Sequence, residues 1–224
     1  MGDVHTLAAV PDPEGQRQLL TEIIGRPLLH ARLLNSLSRM EYVGVRKILK
    51  NRCSQSLDYT GLQHIMEEAA HALRLKKAAL TLAVGHQACV ATYSDSDTLA
   101  GDAGEAYLQN LDRTAQDVLS DVREDGRDDL NYLLTSAAVE IRAQAFYPLY
   151  ESCLRAAGVK ISVASIIRDE VRHSSEMATL LDERLPDWRS RLVRVMDRER
   201  LLFGEFLAAL REALRSSREL QSFA

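Results

Sequence analysis

Glu68-Ala-Ala-His71 and Glu170-Val-Arg-His173 are two copies of one pattern, Glu-x-x-His, each set inside a long helix-forming run. Residues three apart share a helix face, so each copy aims a carboxylate and an imidazole at the same point. With Glu at about 7% of positions and six His, chance gives on the order of half a match, so a single one would be noise. Two are harder to dismiss, because each follows a helical Glu at hairpin distance. Glu41 lies in the apolar stripe of the run before the first motif, and Glu140 in the run before the second. Charged side chains rarely sit in such a stripe unless paired or metal-bound.

The spacing makes a geometric prediction. In an antiparallel hairpin, residues equally far from the turn lie level. Glu41 and Glu68 are centred between residues 54 and 55, inside the polar stretch 51–58. Glu140 and Glu170 are centred on residue 155, about three residues short of Gly158, an offset of roughly 4–5 Å at ~1.5 Å per residue. Both hairpins thus bring their carboxylates level.

Outward from the motifs, the chain reads as all-helical. Residues 1–13 carry Pro11 and Pro13 and little periodicity, so a flexible tail is expected, followed by a single domain over 14–224. A short helix at 14–24 ends at Gly25 and Pro27. The next, at 27–50, has Leu34, Leu37, Gly44, Val45 and Ile48 on a helical period. The helix at 59–84 runs through Ile65, Ala69, Leu73, Leu75 and Leu80. A long connection follows, with its own helix at 104–123 and an acidic break at 123–129. A helix at 129–157 contains Pro148, which should disturb it locally, and Gly158 suits its C-terminal stop. The next covers 160–184, and a Leu- and Arg-rich helix covers 187–219. Leu34, Leu37, Leu75, Ile166, Met177, Leu181 and Cys153 read as core.

Composition narrows the function classes. The chain has 224 residues, a net charge of −4 and no Lys/Arg block, which argues against nucleic acid. No run is apolar enough for a membrane span and the N-terminus lacks a secretory pattern. Cys53, Cys89 and Cys153 are odd in number and form no Cys-x-x-Cys, which fits a cytoplasmic setting and excludes a rubredoxin-type centre.

The set Glu41, Glu68-Ala-Ala-His71, Glu140, Glu170-Val-Arg-His173 resembles the ferritin-like di-iron carboxylate superfamily over about 27–184. In such bundles two helices give one Glu each and two give Glu-x-x-His. The group includes bacterioferritins, rubrerythrins, aldehyde-deformylating oxygenases, tRNA hydroxylases and arylamine N-oxygenases. The resemblance implies a four-helix bundle with a long crossover between its second and third helices (B and C) and extra N- and C-terminal helices. It also implies that Glu41 and His71 serve one metal and Glu140 and His173 the other, with Glu68 and Glu170 bridging. The expected cofactor is two Fe ions per chain, with Mn or mixed Mn/Fe as alternatives, since carboxylate–imidazole sets with open positions suit these metals.

The crossover helix and the long last helix depart from bacterioferritin, so an oxidase or oxygenase is expected over a storage cage. O2, an apolar small molecule and a separate electron donor would be its partners. A homodimer would use the helix at 27–50 or the last helix. A ferroxidase or peroxide-detoxifying protein is the first alternative, and a non-enzymatic helical binding protein the second. Around the ligands, three residues stay open. His64 is a third imidazole (arylamine N-oxygenases carry an extra His), a partner to a ligand, or a capping or surface residue. Tyr147 bonds a ligand, lines a channel or packs in the core. Asp169, like Glu67, is a flanking charge or the acceptor for a ligand imidazole.

Overall fold

The structure, a computed structural model, describes residues 12–51 and 57–222. The expected tail therefore lies outside the described residues except for Asp12 and Pro13, as does most of the 51–58 turn. The described residues form helices and no strand: α1 (Pro13–Ile24), α2 (Pro27–Asn51), α3 (Tyr59–Leu82), α4 (Gly101–Val118), α5 (Arg127–Ala156), α6 (Ala164–Arg184) and α7 (Trp188–Ser222). Short 3-10 turns at Gln87–Val90 and Asp95–Asp97 lie between α3 and α4.

Local chemistry explains the boundaries. The Asp12 carboxylate accepts the Gly15 N–H at 2.9 Å, and the Asp58 carboxylate accepts the Gly61 N–H at 2.8 Å, each satisfying an orphan donor of a first turn. Pro13 and Pro27 open α1 and α2, where the missing N–H is harmless. Gly158 adopts φ +67° just past α5, the left-handed conformation that lets the chain turn. The helix predicted at 104–123 instead starts at Gly101 and stops at Val118, and the one predicted from 160 starts at Ala164. Helix α5 runs through Pro148.

α2 packs along α3, α5 along α6, and α4 along α7, with α1 laid against α2 and α5. Helix α5 buries Leu133, Leu134, Ala137, Ala138, Ile141 and Tyr150 on several sides, as a central helix must. The connection between α3 and α4 lies on α2. The Asn35 amide donates to the Thr92 and Asp97 carbonyls at 2.7 and 2.8 Å, and the Ser36 hydroxyl donates to the Leu99 carbonyl at 2.8 Å. Arg39 pairs with Glu105 at 2.6 Å, extending the seam onto α4.

The expected core residues Leu34, Leu37, Leu75, Cys153, Ile166, Met177 and Leu181 are all buried. On α3 the inward face is His64, Glu68, His71, Ala72, Leu75 and Ala79, the side on which the Glu-x-x-His motif lies. Of the other apolar residues along this helix, Ala69, Leu73 and Leu80 are exposed and Ile65 is half-buried. No helix among the described residues is long and apolar enough to cross a membrane.

Candidate metal centre

The six side chains singled out by spacing meet in one cluster drawn from α2, α3, α5 and α6, with Glu41 half-buried and the other five buried. Two overlapping groups have ligand-type atoms all within 4.8 Å of one another. One is Glu41, Glu68, His71 and Glu170; the other is His64, Glu68, Glu140 and His173. Glu68 belongs to both. Glu170 spans both as well: its two oxygens lie 3.4 Å from His71 Nδ1 and 3.4 Å from His173 Nδ1.

The two imidazoles are held alike. Asp169, just before Glu170 on α6, takes the Nε2 of His71 on α3 at 3.0 Å. Glu67, just before Glu68 on α3, takes the Nε2 of His173 on α6 at 3.0 Å. Each helix thus fixes the ring that the other contributes. An acid on Nε2 leaves Nδ1 as the nitrogen open to a metal and raises its basicity. Both Nδ1 atoms are buried without a hydrogen-bonding partner, as are Glu68 Oε1 and Glu140 Oε2. Arg172 caps the arrangement by pairing with Glu67 at 2.6 Å.

His64 settles at the centre rather than at a cap or the surface. It is buried, with Nε2 3.3 Å from Glu68 Oε1 and 3.8 Å from Glu140 Oε1, and its ring centroid is 4.2 Å from that of His173. The Tyr132 hydroxyl on α5 pairs with its Nδ1 at 3.0 Å. Tyr147 is more than core packing, since its hydroxyl donates to Glu41. Arg46 and Lys47 pair with Glu105 and Asp112, leaving Glu41 to the cluster.

Four carboxylates in one dry pocket are unfavourable together. Burial, followed by the charges of Glu68 and Glu170, pushes Glu41 well above the usual carboxylate range. Burial and the Glu170 charge do the same to Glu140. Burial also opposes ionised Glu68, but the His173 and His64 imidazoles beside it outweigh that and hold its pKa below the ordinary value. Burial opposes imidazolium too, yet the carboxylates raise His71 to about 9 and His173 to about 10. Protons are thus the counter-charge in the metal-free protein. Two divalent cations would balance four carboxylates and meet the orphaned nitrogen and oxygen atoms, so these residues fit such a pair.

Beside the cluster lies a cavity of about 510 Å3, with Glu41, Glu68 and Glu170 in its wall. By area the rest is mostly apolar, from Leu37, Ile48, Phe203 and Phe206 and the stripe Tyr132, Thr135, Val139, Phe146 along α5, while Arg46, Lys47, Glu105 and Asp112 also line it. Gly44 contributes no side chain there; a Cβ on it would stand 3.4 Å from Glu68 Oε2.

Next to this wall is a set of residues that spacing did not single out. Arg142 on α5 binds Glu199 on α7 through two nitrogens, at 2.8 and 2.6 Å, and the Tyr107 hydroxyl of α4 donates to Glu199 at 2.9 Å. Glu199 is completely buried. Its signal was available: it interrupts the apolar row Leu192, Val195, Met196, Leu202, Phe206. Comparison with protein-family models, curated proteins and solved structures finds no match for this chain.

Proposed function

We propose that this chain is a ferritin-like, four-helix-bundle oxidoreductase that uses two bound iron ions, or manganese in one or both positions, to oxidise an apolar organic substrate with O2. The observation that carries this reading is the cavity. About 510 Å3 is the size of a small-molecule site, and three of the candidate ligands form part of its wall. A site that oxidises only iron needs a path for ions, whereas a mostly apolar cavity reaching the candidate ligands suits an organic substrate.

The roles of the side chains follow from their contacts. His71 and His173 present Nδ1 to the centre, oriented by Asp169 and Glu67. Glu68 and Glu170 lie between the two groups and are the bridging candidates; Glu41 and Glu140 are the terminal ones. His64 completes the second group as a third imidazole. Tyr147 holds one Glu41 oxygen and so limits how that carboxylate can turn. Bound as Fe(II), the metal pair would supply the electrons that reduce O2. The apolar wall excludes water from the reacting substrate, and Gly44 leaves open the space next to Glu68. Further turnover requires an external reductant, since the described cysteines, Cys89 and Cys153, are free thiols rather than a redox pair.

The test combines metal content and substrate access. Protein made with iron supplied should carry about two metal ions per chain, and Glu68→Ala and Glu170→Ala should lose them. Leu108→Trp, on the α4 wall of the cavity and not among the candidate ligands, should keep the metal but lose binding of small aromatic probes, because its side chain fills the cavity. Wild-type protein without metal would end the proposal. Iron oxidised far beyond two ions per chain, unchanged by Leu108→Trp, would point to a ferroxidase.

A further inference from the structure

The exposed face of α3 is unlike a solvated helix. Tyr59, Leu62, Met66, Leu73, Leu80 and Val84, on or just beyond α3, are 37–80% exposed. Leu62, Met66, Ala69, Leu73 and Leu80 fall on four- and three-residue steps, with Lys77 filling the one remaining step. That is the seam of a helix that packs on another helix. The row faces away from Glu68 and His71, so the metal cluster does not account for it.

Helix α2 widens the patch. Ser38 donates to the Ala72 carbonyl of α3 at 2.6 Å, so the Ser38 row of α2 borders α3. Tyr42 and Leu49, four and eleven residues on, continue that row and are 45% and 58% exposed. Large side chains bury about 150–250 Å2 each when fully covered, so the α3 row alone leaves on the order of 600 Å2. Tyr42 and Leu49 bring the face near the ~800 Å2 per partner of a standard interface. An isolated patch this size is at the upper end for a monomer.

We infer that this face binds a second copy of the chain, with α3 against α3 in an antiparallel, two-fold arrangement. Such an interface must be self-complementary. A two-fold axis level with residue 71 meets that demand: Leu62 of one copy lies level with Leu80 of the other, and Ala69 with Leu73. The small Ala69 gives each Leu73 a place to enter. Lys77 lays its stem on the apolar row and keeps its ammonium at the rim. The pairing is independent of the reading of the metal centre.

The test is the solution mass of the full chain, by light scattering after gel filtration, with Met66→Glu/Leu73→Glu as the variant. Wild type should run at twice the chain mass and the double variant at one, with unchanged helical circular dichroism. Val193→Glu, on the exposed side of α7, should remain dimeric. Ala69→Cys/Leu73→Cys, which sets the two cysteines level across the axis, should form interchain disulfides on mild oxidation that wild type does not form, which decides the matter even if Met66→Glu/Leu73→Glu folds poorly. A monomeric wild type overturns the inference, as does a dimer that survives Met66→Glu/Leu73→Glu. So does a monomer that binds phosphatidylcholine/phosphatidylglycerol vesicles through this face.

Discussion

At the scale of single residues, the acids next to the motifs should matter nearly as much as the ligands. Asp169→Ala and Glu67→Ala each release one ligand imidazole, so metal affinity should fall by about 10–100-fold in each, read by competition with a chromogenic chelator. His30 offers a pH prediction far from the metal. It is buried against the Tyr150 hydroxyl at 2.6 Å, and burial lowers its pKa to about 4. The unfolded chain binds a proton on His30 below pH 6.5 while the folded protein resists it. Its contribution is therefore complete above pH 6.5 and is lost as pH falls toward 4. At ~1.36 kcal/mol per pK unit, stability should drop by about 2 kcal/mol between pH 7 and pH 5. Urea denaturation at both values, compared with His30→Gln, isolates that share; equal losses in the two proteins would remove His30 as the cause.

At the scale of helices, the Arg142–Glu199–Tyr107 joint ties α4 and α7 to α5, the helix that carries Glu140. Removing one member leaves a buried charge alone, so Arg142→Ala or Glu199→Ala should destabilise by about 3–5 kcal/mol. The double change to Leu should cost less than either, because no charge is stranded. Chemical denaturation of the three variants checks this order. Helix boundaries were largely legible. Pro27, Asp58, Gly158 and the acidic break before α5 each act through local backbone chemistry. The inward face of α3 was legible from Glu68 and His71, which the motif aims at the other four side chains. That Leu62, Met66 and Leu73 on its opposite side stay uncovered was not, because it depends on where the other helices lie.

At the scale of the whole molecule, the proposed centre should couple metal to folding. Four carboxylates gathered from α2, α3, α5 and α6 repel one another until cations balance them, so loading should stabilise the fold. At a free metal concentration 100 times Kd the gain is about 2.7 kcal/mol. Chelation should lower the melting temperature of wild type and leave Glu68→Ala unmoved. Loading should also release protons from His71 and His173, so metal affinity should rise with pH up to about 9–10, where those groups lose their protons. Titration calorimetry in buffers of different ionisation enthalpy counts those protons; a count of zero would contradict the assignment of Nδ1.

The sequence by itself determined the all-helical class, the pairing of each Glu with its His, and the level at which the two hairpins present their carboxylates. These follow from a fixed rise and rotation per residue, which any stretch of helix obeys alone. Only the tertiary structure decided that Asp169 and Glu67 orient each other's partner imidazoles, that His64 joins the cluster, that Glu199 closes a buried joint, and that a cavity opens on Glu68. Each depends on how one helix is rotated against another. That rotation is set by the packing of side chains far apart in the chain, which periodicity within one helix does not encode.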